Sequence, residues 1–277
     1  MVDWNEKTAG TKEEVPAATL SDLWGKYQPP VKDDFVFEEA SQSNTEIYTI
    51  YGEKGVGKTT FALGFPGTIA VLSFDKKSQS AKSNAFSNED RIKVYDAVKF
   101  WERDAKYILD SSVSTLDYIN FLFDNLKKQS IDWIIIDGIE IMQKIAECIM
   151  RKRHGISPYG GIANLNVWKE RNSIIEQIHH KACMIARKGI IYTTYSDVEK
   201  IVEDGTLISQ LKVPKYIDVV MWETDVVLNI QSHFDVKSKT SKTTLFCLTS
   251  KKDNRIKTGT YVDISNKKAH EVINFDK

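Results

Sequence analysis

"YGEKGVGKTTFALGFPG", Tyr51 to Gly67, sets glycines at positions 52, 55 and 57 ahead of Lys58 and Thr59, and the apolar run that follows stops at Pro66. Gly52, Gly57, Lys58 and Thr59 match the spacing G-x-x-x-x-G-K-[ST]. Glycines let the backbone turn so that consecutive N–H groups face one anion. A helix is expected from about Lys58, and its unpaired N–H groups add to the same cradle. Gly52, Glu53, Lys54, Gly55, Val56, Gly57, Lys58, Thr59 and Thr60 are therefore expected to wrap the phosphates of a nucleoside triphosphate, ATP in the first instance. Lys58 would reach the β- and γ-phosphates, and the Thr59 hydroxyl would take a Mg²⁺ ion. Chance would supply on the order of 0.01 such matches in a chain of this length.

The surroundings fit that reading. "EIYTIYG", from Glu46, is β-branched and aromatic and predicts a strand leading into the loop. A phosphate loop needs an acid at the end of a neighbouring strand, and "WIIID" ends at Asp137, the second expected metal residue. "TIAVLSFD" predicts another buried strand and ends at Asp75, a place for a carboxylate that orients attacking water. The alternative for Asp75 is a solvated acid opening the loop "DKKSQS". Thr193 and Thr194 end the strand "IIYTT". Thr194 there is a candidate sensor of the γ-phosphate, or a plain strand-end threonine.

Elsewhere strands and helices alternate. "RIKVYDA" reads as a weaker strand, and "TLDYINFLFDNLKKQ" carries apolar residues at helical spacing. "IEIMQKIAECIMRKR" and "LNVWKERNSIIEQIHHKACMIARKG" read as long helices, the second stopped by Gly189. "DVVLNI" and "TTLFCLTS" close the series as strands, after a polar stretch from Ser196 to Gln210. The expected fold is α/β: a mostly parallel sheet with helices on both faces and antiparallel strands at the C-terminal end. Residues 45–277 are expected to form this domain. Residues 1–44 read as a flexible arm with three prolines, carrying one short helix, "TLSDLWGKY", capped by Ser21.

Composition narrows the function classes. Formal net charge is zero, which counts against nucleic-acid binding by bulk electrostatics and leaves only local basic loops to argue it. No run approaches a membrane span, and the polar N-terminus lacks a signal core, so a cytoplasmic protein is expected. Cys148, Cys183 and Cys247 lie far apart and read as reduced thiols.

With those positions placed, the chain resembles the RecA-like P-loop ATPases. It is most similar to the small RecA-type nucleotide-binding proteins of phages and archaeal viruses linked to single-strand annealing and recombination. "GKTTFALGFPG", "VLSFD" and "GGIANLNVWKERN" carry the resemblance, which spans about Glu46 to Ile264. It implies a Mg-dependent ATPase that oligomerises and acts on single-stranded DNA. Asp75 stands where many relatives have glutamate. The implied first DNA loop is "RKRHGISPYGG", where Arg151, Lys152, Arg153 and His154 face phosphates and Tyr159 stacks on a base. The same cations would also complement the C-terminal dipole of a helix. The implied second loop, "SDVEKIVEDGTLISQ", is acidic. Lys252 and Arg255 on "SKKDNRIKTG" map to cations that reach a neighbouring subunit's γ-phosphate, with a polar hairpin as the alternative. "FEEA", Phe37 to Ala40, is similar to the hook by which such recombinases dock on a neighbour.

Rival readings are a regulatory recombinase-paralogue-like ATP-binding module and a nucleic-acid motor. His179 and His180 lack metal-ligand spacing. Trp101, Trp133, Trp168 and Trp222 are expected in the core, and Trp4 and Trp24 lie in the arm.

Overall fold

The computed structural model describes residues 45–203, 206–215, 220, 222–235 and 239–275. The arm, with its expected helix, its two tryptophans and "FEEA", lies outside the described residues. The strands are β1 (Glu46–Gly52), β2 (Ile69–Ser73), β3 (Ile92–Asp96), β4 (Trp133–Asp137), β5 (Gly189–Glu203), β6 (Thr206–Pro214), β7 (Val226–Asp235), β8 (Thr240–Ser250) and β9 (Tyr261–Asp263). The helices are α1 (Lys58–Leu63), α2 (Ser78–Ala85), α3 (Ile108–Leu126), α4 (Ile139–Arg153) and α5 (Trp168–Ile185).

The sheet runs β3-β2-β4-β5-β1-β7-β8-β9. Its six strands from β3 to β7 are parallel, β8 and β9 add antiparallel, and β6, off this path, pairs with β5. The mostly parallel sheet with an antiparallel C-terminal end is the one expected, and the elements follow the RecA-like order.

Burial on both faces explains the apolar bursts. On β4, Ile134 and Ile136 enter the cluster under α3, α4 and α5, while Trp133 and Ile135 enter the one under α1. The second cluster also explains why α1 is short. After Leu63 the chain turns so that Phe65 meets Trp133 and Phe275, each ring centre 5.1 Å away, and Pro66 cannot continue a helix.

Several expectations need correction. α5 ends at Ile185 because Ala186 is extended, with ψ 122°. Gly189 instead opens β5 where strands close in: a Cβ there would sit 2.0 Å from the Glu46 carbonyl oxygen and 2.7 Å from the Trp133 ring. The polar stretch from Ser196 is the outer half of β5, folded back on β6 as a hairpin. "DKKSQS" opens α2. Of the four tryptophans expected in the core, Trp133 is fully buried, Trp101 and Trp168 are half-buried, and Trp222 is 75% exposed. The cysteines are free thiols.

Candidate functional site

The carboxyl ends of β1, β2, β4 and β5 open into one cavity of about 280 Å³. It is lined by the glycine loop, Lys58, Thr59, Asp75, Asp137, Glu140, Thr193, Thr194 and Tyr195. Gly57 caps α1 at φ 93°, a left-handed conformation that costs a glycine little. Lys58 folds back, its Nζ donating to the carbonyls of Gly52 (2.9 Å) and Glu53 (2.8 Å) and lying 4.6 Å from the centre of the Tyr195 ring. Burial pulls the Lys58 ammonium below its usual pKa, against the pull of Glu140, Asp137 and Asp75. The other loop residues take supporting places. The Glu53 carboxylate pairs with Lys212 of β6 at 3.1 Å, Val56 packs on the core under α1, and Lys54, Gly55 and Thr60 line the cavity.

Asp137 is the centre of a hydroxyl cluster. Thr59 Oγ1 donates to it (2.9 Å to Oδ1, 3.1 Å to Oδ2), Ser78 Oγ donates at 2.6 Å, and Thr193 Oγ1 donates from β5. The sequence reading paired Thr59 with Asp137 and missed Ser78, whose buried hydroxyl comes from the first residue of α2. A carboxylate ringed by hydroxyls, one of them on the phosphate loop, is a hard-oxygen set that fits Mg²⁺.

Asp75 sits two residues beyond β2, half-buried at the same cavity. Burial, and then the charge of Asp137, raises its carboxyl above the ordinary carboxylate range, while its Oδ1 accepts the Lys77 N–H at 2.9 Å. Thr194 and Thr193 divide their work: Thr193 serves Asp137, and Thr194 Oγ1 lies 2.7 Å from Glu140 Oε1 and 2.8 Å from the Lys215 carbonyl.

Glu140 is the residue the sequence reading missed most plainly. It lies three positions after Asp137, on the first turn of α4, so a spacing argument could have found it. Its Oε1 also accepts the Tyr195 N–H, and its Oε2 is buried with no hydrogen-bond partner among the described residues. Glu140 thus braces the root of the hairpin against α4, while the Glu53–Lys212 pair ties the hairpin to the phosphate loop and Tyr51 of β1 donates its hydroxyl to the Lys212 carbonyl at 3.1 Å.

The other expected residues are placed elsewhere. Arg255 is turned inward at the opposite end of β1. Its Nε and a terminal nitrogen each lie 2.8 Å from Glu46 Oε1, and it donates to the Asn274 carbonyl at 3.1 Å. That guanidinium is held within its own chain by Glu46 and Asn274. Lys252 lies on the turn after β8, half-buried. The basic loop is also internally matched. Lys152 meets Asp110 at 2.7 Å, Arg153 and His154 both meet Glu170 (2.6 and 2.7 Å), and Arg151 pairs with Glu147 at 2.8 Å. Only Tyr159 stands out, at 72% exposed. His179 is a satisfied core histidine between Tyr192 (2.6 Å) and Glu223 (2.8 Å). Among the described residues no helix is long and apolar enough to cross a membrane.

Among solved structures, a KaiC-like protein from the hyperthermophilic archaeon Pyrococcus horikoshii OT3 is similar over 80% of this chain and 85% of its own, at 12% identity and a TM-score of 0.41. A search of curated proteins gives no match. The family model described as "AAA domain" matches residues 45–260. That match holds the phosphate loop, Asp75, Asp137 and the β5–β6 hairpin, and covers most of the sequence: the chain belongs to the AAA-domain family, as an ATP-binding P-loop domain of RecA-like fold.

Proposed function

We propose that the chain is a Mg-dependent ATPase that works as an oligomer on single-stranded DNA, in annealing, recombination or replication, of the kind found in phages and archaeal viruses. The observation that carries it is the meeting of Lys58, the Thr59–Asp137 pair and Asp75 at one cavity. The triphosphate enters the glycine loop, and Lys58 leaves the Gly52 and Glu53 carbonyls for phosphate oxygens. Thr59 would hold Mg²⁺ directly and Asp137 would hold its water shell; when bound, the ion neutralises charge on the phosphates. Asp75 accepts a proton from the attacking water and so orients it. Its raised pKa suits that task, because a base must hold the proton it takes. Lys252 is the remaining candidate for a cation reaching a neighbour's nucleotide.

The base has a place as well. A second cavity of about 280 Å³ shares Gly57 and Thr60 with the first, and Phe61, Phe86 and Ile264 give it apolar walls. Thr243, Ser265 and Asn266 add polar edges there.

The test is ATPase rate against protein concentration, with and without single-stranded DNA. A specific rate that rises with concentration and with DNA is expected. A regulatory module that binds ATP without acting on DNA is the second reading, favoured by the internal matching of Lys152, Arg153 and His154. That reading requires a rate indifferent to DNA.

A further inference from the structure

A third depression, a groove of about 460 Å³, runs between the β3–α3 connection, the start of α4 and the loop after it. Trp101, Arg103, Ile108, Ile141, Lys144 and Tyr159 line it, and Glu140 forms the wall it shares with the phosphate cavity. We propose that this groove, and not the basic end of α4, holds a single strand of nucleic acid by stacking its bases between Tyr159 and the Trp101–Arg103 pair.

The aromatic groups are built for presentation. Trp101 is fixed by its indole N–H, which donates to Ser112 Oγ at 3.1 Å, and the Arg103 guanidinium lies 5.1 Å from its ring. The Tyr159 loop is clamped on either side, because Arg151 donates to the carbonyls of Ser157 (3.1 Å) and Gly160 (2.8 Å). The exposed phenol ring therefore projects from a fixed backbone, and less ordering remains to be done when a base stacks on it.

The neighbourhood repeats the pattern. In "KFWERDAKY", Lys99 lies 5.6 Å from the Phe100 ring and Lys106 lies 5.0 Å from the Tyr107 ring, and both rings are nearly half exposed. A ring for a base beside a cation for the next phosphate is what an unpaired strand needs; a duplex hides its bases. The acids nearby are partly occupied. Asp110 holds Lys152, Asp104 accepts the Lys106 N–H at 2.8 Å, and Glu140 holds the hairpin; Glu102 is exposed. The groove rests on the single-stranded DNA reading above and gives it a route to the nucleotide, since a strand against Glu140 presses on the residue that ties Thr194 and Tyr195 to the cavity.

Fluorescence anisotropy of a labelled oligothymidylate, titrated with full-length protein in Mg-ATP, tests the placement. Tyr159→Ala/Arg103→Ala is expected to weaken binding by about tenfold or more. Tyr159→Phe should bind like wild type, and Lys152→Ala/Arg153→Ala should stay within about twofold. Heats of ATP binding unchanged in every variant would show that the folds are intact. Loss in the Lys152/Arg153 variant with wild-type binding in the groove variant overturns the groove and keeps the DNA reading. A wild-type protein that takes up ATP but no oligonucleotide overturns both.

Discussion

The two ends of the sheet treat charge in opposite ways, and two aspartates show it best. Asp132, immediately before β4, is satisfied on every side: it accepts the Thr68 N–H at 2.8 Å and the Thr68 hydroxyl at 3.1 Å, and it pairs with Arg187 at 2.8 Å. Its burial alone would raise the carboxyl, yet these Thr68 hydrogen bonds and the Arg187 charge bring it below its ordinary value. Asp75, past the other end of the neighbouring strand, has one backbone donor and a second carboxylate for company, and its carboxyl is held high. The amino end holds Glu46 to Arg255 and seats Arg91 on the carbonyls of Phe65 and Gly67. The carboxyl end leaves Glu140 Oε2 without a hydrogen-bond partner among the described residues and sets a half-buried Lys58 among acids. One end is finished by folding; the other is finished by a ligand. Unsatisfied charge gathered in one cavity is a pointer to function rather than to stability.

The sharpest way to break that contrast is Lys58→Ala. Turnover should fall by about 10³-fold, the scale of losing one preorganised cation at the developing charge. The melting temperature of the nucleotide-free protein should stay near wild type, since partial burial already disfavours that ammonium. Turnover surviving in the variant would end the phosphate-loop assignment. Asp75→Asn comes next, with turnover lower by about 10²-fold and, because an ionised Asp75 opposes folding, a melting temperature at neutral pH above wild type. A stabilised but slow enzyme is the mark of a residue kept for chemistry. The opposite end should behave in reverse. Asp132→Ala leaves the Thr68 donors and Arg187 without their acceptor and should cost about 2 kcal/mol in denaturant unfolding, with ATP affinity preserved.

Much of this end-to-end division was legible, and what was not has a common cause. The glycine loop, the strand to Asp137 and the acid after β2 are local signals, written in spacings of a few residues, and the structure brings them together. Glu140 was within reach, because a residue three past a strand-end acid on a new helix faces the same cavity. Ser78 was not, since its role depends on the chain turning back into α2 after Asp75. The pairing of Arg255 was out of reach because its partner, Glu46, is 209 positions away. The partners of the basic loop were hidden for the same reason: Asp110 and Glu170 come from α3 and α5, and no local pattern announces which cations they meet. Local sequence reports which groups are present. Whether a charge is spent or available is settled by long-range pairing.

Acid titration of stability turns that contrast into one curve. For Asp75 the folded carboxyl binds its proton more tightly than the unfolded one. Over the window between its ordinary value of 3.8 and its raised value, the folded state therefore holds more protons, and stability rises as pH falls. For Asp132 the folded carboxyl is the weaker proton binder, so its contribution is complete above 3.8 and is lost as pH drops through the lowered value. Unfolding midpoints followed from pH 7 to pH 3 should then separate the two residues by difference from wild type. Asp75→Asn should gain stability at pH 7 and lose that gain on acidification, while Asp132→Asn should show a shallower fall below pH 4. Parallel curves for all three proteins would mean that the two aspartates sit in equivalent environments, and the division of the sheet into a finished end and an unfinished one would fail.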